Sequence, residues 1–169
     1  MATAQQQTEE LLRNPNSALV IHDNAHLNLG FNIMKDRRVE ENFYVKEYRV
    51  WDRYAEATFD RDYVSNMKKS PNHLIFFTAC AHTQKLLYVA LCKELGFTYS
   101  AEDDEKFKFW PTKVEVDMPG MVRQNKNVLQ QLWIEKFELV EKGVYDVVFH
   151  ITFNSKVTIQ STGKIYLVQ

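Results

Sequence analysis

Residues Ser70–Gly96 read SPNHLIFFTACAHTQKLLYVALCKELG, and this stretch decides the fold. Ser70 suits an N-cap, Pro71 a first helical turn and Gly96 a C-terminal stop, so the punctuation predicts one helix across the segment. At 1.5 Å per residue it would run roughly 35–40 Å. Apolar residues from Leu74, Ile75, Phe76 and Phe77 through Leu86, Leu87, Val89 and Leu91 to Leu95 leave almost no face of this helix free. A helix apolar nearly all round must be enclosed on several sides. It does not read as a membrane span, because His73, Thr78, His82, Thr83, Gln84 and Lys85 break the run before about 18 apolar residues accumulate. The reading is a buried helix of a soluble protein.

Outward from the helix, the flanks read as strands. Phe43–Val50 and Tyr54–Phe59 are rich in aromatic and β-branched residues, and Trp51-Asp52-Arg53 would turn between them. Asp60–Lys69 is then a connector carrying Tyr63, and Tyr99–Lys106 an acidic loop after the helix. Lys108–Met118 alternates, with Val114, Val116 and Met118 on one face and Lys113, Glu115 and Asp117 on the other, and Pro119-Gly120 closes it. Val128–Val140, Val144–Phe153, Val157–Thr162 and Lys164–Val168 follow as a meander, turning at Glu141-Lys142-Gly143 and Asn154-Ser155-Lys156. The expected fold is therefore α+β, with a curved antiparallel sheet wrapped around one long central helix. No repeat or dividing linker is visible, so residues 1–169 read as a single domain. Its core is 43–168, preceded by a 1–42 extension with a short helical pattern near Glu9–Leu12. One side of the helix stays uncovered in this scheme, and a two-fold partner would cover it, so a homodimer is expected.

Composition narrows the function. The chain has 169 residues, a formal charge of −1 and no basic patch, which argues against a nucleic-acid partner. Eleven Phe, eight Tyr and three Trp suit a large core or an apolar pocket. Cys80 and Cys92, twelve apart on the proposed helix, are separated by roughly 18 Å and cannot bridge, so both read as buried free thiols of a reducing compartment. With no leader pattern at the start, a cytoplasmic location is expected. His22 and His26 have HxxxH spacing, but no convincing helix carries them and no third ligand is evident. No metal or cofactor is expected.

Three stretches carry a family resemblance. FWPTKVEVDMPG (109–120) and WIEKFELVEKGVYDVVFHITFNSKVTIQSTGKIYLV (133–168) resemble the strand after the helix and the closing meander of hotdog-fold acyl-thioester enzymes, down to a small-residue turn before the last strand. AEATFDRDYVSNMKKSPNHLIFFTACAHTQKLLY (55–88) is most similar to FcoT-type fatty acyl-CoA thioesterases. The resemblance implies hydrolysis of fatty or polyketide acyl thioesters of coenzyme A or an acyl carrier protein. It also implies a site built from tyrosine and asparagine side chains rather than a helix carboxylate. By position Tyr63 matches the connector tyrosine, Asn72 or His73 the asparagine at the helix start, and His82 the mid-helix asparagine. This connector is about two residues longer, and histidine stands where the family has asparagine.

The residues themselves permit this chemistry and duller roles as well. A helix N-terminus offers free N–H groups and a positive dipole end to a developing oxyanion, and Asn72 and His73 would lie in that first turn; they fit a polar first turn and a surface histidine equally. His82 in mid-helix could act as a base or orient water, and Thr78 and Lys85, at i−4 and i+3, extend a narrow polar stripe. The stripe also fits a solvated edge or a dimer contact. His73 and His82, nine apart, face opposite sides of a helix. Thr78, Thr83, Phe76 and Phe77 are the expected substrate-binding residues, and Lys68, Lys69, Arg123 and Lys126 are scattered cations for phosphate. Burial would leave Cys80 a poor nucleophile. Dehydratase or cyclase chemistry on a carrier-linked chain is the alternative in the same fold, although no carboxylate occurs between Pro71 and Glu94 to serve it. Passive binding of an acyl group is the alternative outside catalysis.

Overall fold

The structure, a computed structural model, describes residues 19–21, 29–32, 39–65, 72–99 and 106–168. The elements in chain order are β1 (Leu19–Ile21), β2 (Leu29–Asn32), β3 (Val39–Trp51), β4 (Tyr54–Ser65), α1 (Phe76–Glu94), β5 (Phe107–Asp117), β6 (Val128–Glu141), β7 (Val144–Phe153) and β8 (Val157–Leu167). All strands join one antiparallel sheet in the order β1-β3-β4-β6-β7-β8-β5, with β2 pairing the other half of β3. Among the described residues, one helix on an antiparallel sheet makes a hotdog-like α+β arrangement. No helix among the described residues is long and apolar enough to cross a membrane.

The sheet curves, because one helix touches strands that lie far apart in it. His82 packs on Phe43 of β3 with ring centroids 5.2 Å apart, while Tyr88 stacks on Phe107 of β5 at 4.5 Å. Five strand spacings separate β3 from β5, roughly 24 Å in a flat sheet. A helix only about 10–12 Å across can meet both strands only if the sheet bends around it. Inward side chains of successive strands fill the space between: Phe43, Phe59, Leu132, Phe149, Ile151 and Phe153 are all buried.

The helix is shorter than the sequence punctuation suggests. Ser70 and Pro71 lie outside the described residues, and 72–75 are non-helical, so α1 begins at Phe76. Its N-cap is Ile75, in extended conformation and with no side-chain cap of its own. The cap comes from afar. Leu74 N–H donates to Val122 O at 2.8 Å and Ile75 N–H to Glu41 Oε2 at 3.1 Å, which holds the chain extended until Phe76. The other end matches expectation: Gly96, at φ +71, closes a Schellman turn in which Phe97 N–H reaches Cys92 O and Gly96 N–H reaches Lys93 O.

Glu41 is fully buried and forms an ion pair with the equally buried Arg61, whose Nε donates to Glu41 Oε1 at 2.6 Å. Arg61 Nη1 donates to Gln124 O at 3.2 Å, and Arg61 N–H to Asn125 O at 2.8 Å. One charge pair thus joins β3, β4, the 122–125 loop and the start of α1.

Three strand expectations are corrected. Tyr63 is not in a connector, because β4 runs on to Ser65 by pairing with the first residues of β3, Tyr63 opposite Glu41. β5 is an exposed edge rather than a half-buried strand: a register shift between Pro111 and Lys113 breaks the alternation, and Val114 is 49% exposed. β8 passes without a turn through Gly163, where a Cβ would lie 2.4 Å from Phe109 Cε2 and 2.6 Å from Trp110 O. Gly163 is there so that β5 can approach. The short helical pattern near Glu9 and the His22/His26 pair lie outside the described residues.

Two substitutions test these contacts by urea denaturation. Gly163→Ala should lower the unfolding free energy by about 1–3 kcal/mol, the usual cost of overpacking. Glu41→Gln, which leaves Arg61 buried without its counter-charge, should cost about 3–5 kcal/mol. An unchanged midpoint in either variant would contradict the contact it probes.

Candidate functional site

His82 projects from the middle of α1 toward the sheet. It is fully buried among Phe43, Phe59 and Tyr48, and both ring nitrogens are engaged. Nδ1 lies 2.5 Å from Gln130 Oε1 and Nε2 3.4 Å from the Tyr48 hydroxyl. Because the amide oxygen can only accept, the network assigns the proton to Nδ1 and leaves Nε2 to accept from Tyr48. Burial drives the imidazole pKa down to about 4; the bond to Gln130 opposes that shift, and the charge of Lys85 adds to it. His82 is therefore neutral at physiological pH. Beside it, Thr78 Oγ1 and Gln130 Nε2 are buried and make no hydrogen bond among the described residues.

The predicted residues at the start of the helix form a second group. Asn72 and His73 are half-buried and precede α1 rather than lying in its first turn. Asn72 Nδ2 donates to Asn125 Oδ1 at 3.1 Å, while its buried Oδ1 has no hydrogen-bond partner among the described residues. Tyr63 shares the inward face of β4 with Arg61, two residues along, and stands opposite Glu41. Phe76 and Phe77 are exposed, 38% and 56%, with ring centroids 5.3 Å apart. The fold thus brings Tyr63, Asn72 and His73 toward one end of α1 and sets His82 apart, inside the core. Thr78 is buried near His82, and Thr83 spends its hydroxyl on Ala79 O at 2.8 Å. Of the cations suggested for phosphate, Lys126 pairs with Asp60 at 2.8 Å, Arg123 Nη2 lies 3.6 Å from Met121 Sδ, and Lys68 and Lys69 are outside the described residues.

Open space lies on a different face of α1. A cavity of about 60 Å³ sits between Cys80, Thr83 and Gln84 of the helix and Phe149, Ile159 and Ser161 of the sheet. A second, of about 150 Å³, is lined by Leu87, Tyr88, Leu91 and Phe107. Gln84 and Phe109 line both, so the two form one groove along the helix toward β5. Cys80, expected to be buried, is half-buried in its wall, with a thiol pKa raised by desolvation. Only Thr83 of the predicted substrate-binding residues lines the groove.

Gln84, exposed at the groove mouth, is the residue that sequence reasoning passed over. Its signal was present: Cys80, Gln84 and Tyr88 recur every four residues and share a face. Gln130 and Glu41 carried no such signal, since each meets the helix only through the tertiary fold.

No family model and no curated protein matches the chain. Among solved structures it is similar to a mutant form of the thioesterase PA1618 from Pseudomonas aeruginosa, at 8% identity and a TM-score of 0.45, covering 73% of this chain and 82% of that one. It is also similar to the thioesterase HI1161 from Haemophilus influenzae, at 12% identity and a TM-score of 0.42 over 71% and 78% of the two chains. A third is an HP0420 homologue from Helicobacter felis, at 7% identity and 0.42 over 86% and 89%. The first two of these proteins are described as thioesterases.

The buried imidazole makes stability depend on pH. The folded state resists a proton down to about pH 4, whereas the unfolded chain takes one near 6.5. Stability is therefore complete above the unfolded value and is lost as pH falls from 6.5 toward 4, by up to about 3 kcal/mol. Urea midpoints across that window should fall for the wild type and fall less for His82→Leu. Parallel profiles would show that His82 is not the group responsible.

Proposed function

We propose that the chain is a hotdog-fold thioesterase that hydrolyses fatty or polyketide acyl thioesters of coenzyme A or an acyl carrier protein, as a cytoplasmic homodimer. The observation that carries this reading is the groove beside α1. Its walls are mainly apolar, it runs along the helix, and it lies on the same helical face as Phe77. A thioester carbonyl at the N-terminus of α1 would meet the first-turn N–H groups and the positive end of the helix dipole, with the acyl tail extending along the groove. Asn72, through its Oδ1, which has no hydrogen-bond partner among the described residues, would hold the attacking water, with Tyr63 and His73 bordering the same end. The water oxygen bonds to the carbonyl carbon, the C–S bond breaks, and the water's proton passes to the departing thiolate, leaving a free acid and a thiol. His82, fully buried, would act as a positioning residue through Gln130, not as the base. Thr78 would belong to that inner group, and Phe76, Phe77 and Thr83 would flank the substrate. Exposed Phe76, Phe77, Trp110 and Val114 support pairing with a second copy.

One observation favours a second reading, a non-catalytic acyl binder. The described residues that line the groove include no carboxylate and no imidazole.

Thiol release from acyl-CoA and acyl-carrier substrates of graded length separates the two. Hydrolysis should be measurable in the wild type and fall roughly 10²-fold in Asn72→Ala, with a smaller loss in Tyr63→Phe. Chain binding without thiol release from any substrate would leave the binder and remove the enzyme.

A further inference from the structure

Tyr88 lines the C-terminal part of the groove, with Leu91 one turn further on. Its ring stacks on Phe107 of β5, with centroids 4.5 Å apart and planes 23° from parallel, and meets Tyr99 edge-on at 6.2 Å. Its hydroxyl accepts from Lys106 N–H at 3.3 Å. A side chain fixed by two rings and a hydrogen bond is a rigid wall, not a mobile flap. On the near side is the 150 Å³ cavity that Tyr88 itself lines. Around the C-terminal end of the helix lies another cavity, of about 490 Å³, lined by Val89, Cys92, Phe97 and Tyr99. Tyr88 lines the smaller cavity and touches Tyr99, which lines the larger one.

We propose that Tyr88 is the end wall of the acyl channel and sets the upper limit on the length of acyl chain that the protein accepts. The inference rests on the thioester reading above for the location of the carbonyl, at the N-terminus of α1. From Phe76 to Tyr88 the helix rises roughly 18 Å, which at ~1.2 Å per bond matches a straight chain of about fifteen bonds. Chains of that length fill the channel; longer ones meet Tyr88 and must fold back or leave their ends in water. The substrate class that follows is an acyl thioester whose chain is no longer than about sixteen carbons. Removing the ring would join the groove to the larger cavity and admit longer chains.

The test uses non-hydrolysable thioethers, S-hexyl-, S-dodecyl- and S-octadecyl-CoA, titrated calorimetrically into the whole protein. In the wild type, affinity should rise from hexyl to dodecyl and drop roughly tenfold for octadecyl. Tyr88→Ala should bring octadecyl at least level with dodecyl, while Tyr88→Phe, which keeps the wall, should retain the wild-type order. Should the alanine variant fail to fold, Tyr88→Leu shortens the wall while still packing on Phe107, and should give an intermediate shift. Octadecyl binding the wild type as tightly as dodecyl, an unaltered order in the shortened variants, or no binding of any thioether would each overturn the proposal. Because thioethers cannot be hydrolysed, sorting by length without thiol release from the matching thioesters would keep the wall and remove only the hydrolase.

Discussion

A carboxylate with no exposure to water is stable only if a counter-charge and hydrogen-bond donors replace its hydration, and Glu41 has both. Arg61 satisfies one oxygen and the Ile75 N–H the other. The consequence reaches well beyond the pair. Ile75 is where the extended segment gives way to helix, so the carboxylate decides where α1 begins and presents negative charge to its positive end. Arg61 at the same time fastens the loop that carries Val122 and Asn125, and Asn125 in turn receives Asn72. The proposed thioester-binding end of the helix is thus assembled around a charge pair that need not touch substrate.

Farther along α1, the division of labour follows from helical phase. His82 and Gln84 are two residues apart, about 200° around the axis. One is sealed into the aromatic core and the other faces the groove. An imidazole in that core is held neutral by desolvation, and its two nitrogens bridge β6 through Gln130 and β3 through Tyr48. The core therefore contains a polar rivet between the helix and two strands of the sheet. Beside it, Thr78 Oγ1 and Gln130 Nε2 are buried without a hydrogen bond among the described residues.

What the sequence made legible was whatever is encoded locally. Gly96 ends the helix through a turn whose bonds span five residues, and the β7 face of Val147, Phe149, Ile151 and Phe153 is inward as its alternation implies. What it concealed depends on distant partners. Ser70 and Pro71 looked like a helix start, but the cap that sets the start is Glu41, thirty-four residues from Ile75. Tyr63 looked like part of a connector because the pairing that keeps it in a strand comes from residues 39–42. Gly163 looked like a turn because glycine signals either a turn or a close approach, and only the position of Phe109 tells them apart. An all-round apolar helix gives no hydrophobic direction, so nothing local told which polar residue, His82 or Gln84, would face the groove.

That same lack of direction explains how the helix can serve as both core and wall. Its inward arc, with Ala79, His82, Leu86 and Ala90, is buried against the sheet, while Cys80, Gln84 and Tyr88 look into the groove. An amphipathic helix would present polar groups on that second arc and fill it with water. Here the arc is apolar except at Gln84 and at Thr83, whose hydroxyl is spent on Ala79 O, so the groove can accept hydrocarbon, and the Gln84 amide can hydrogen-bond without adding charge. The proposed hydrocarbon binding would therefore follow from the composition of the helix. Any hydrolysis must come from the end that Glu41 organises, where the backbone N–H groups and Asn72 are, because the described groove lining supplies no acid or base.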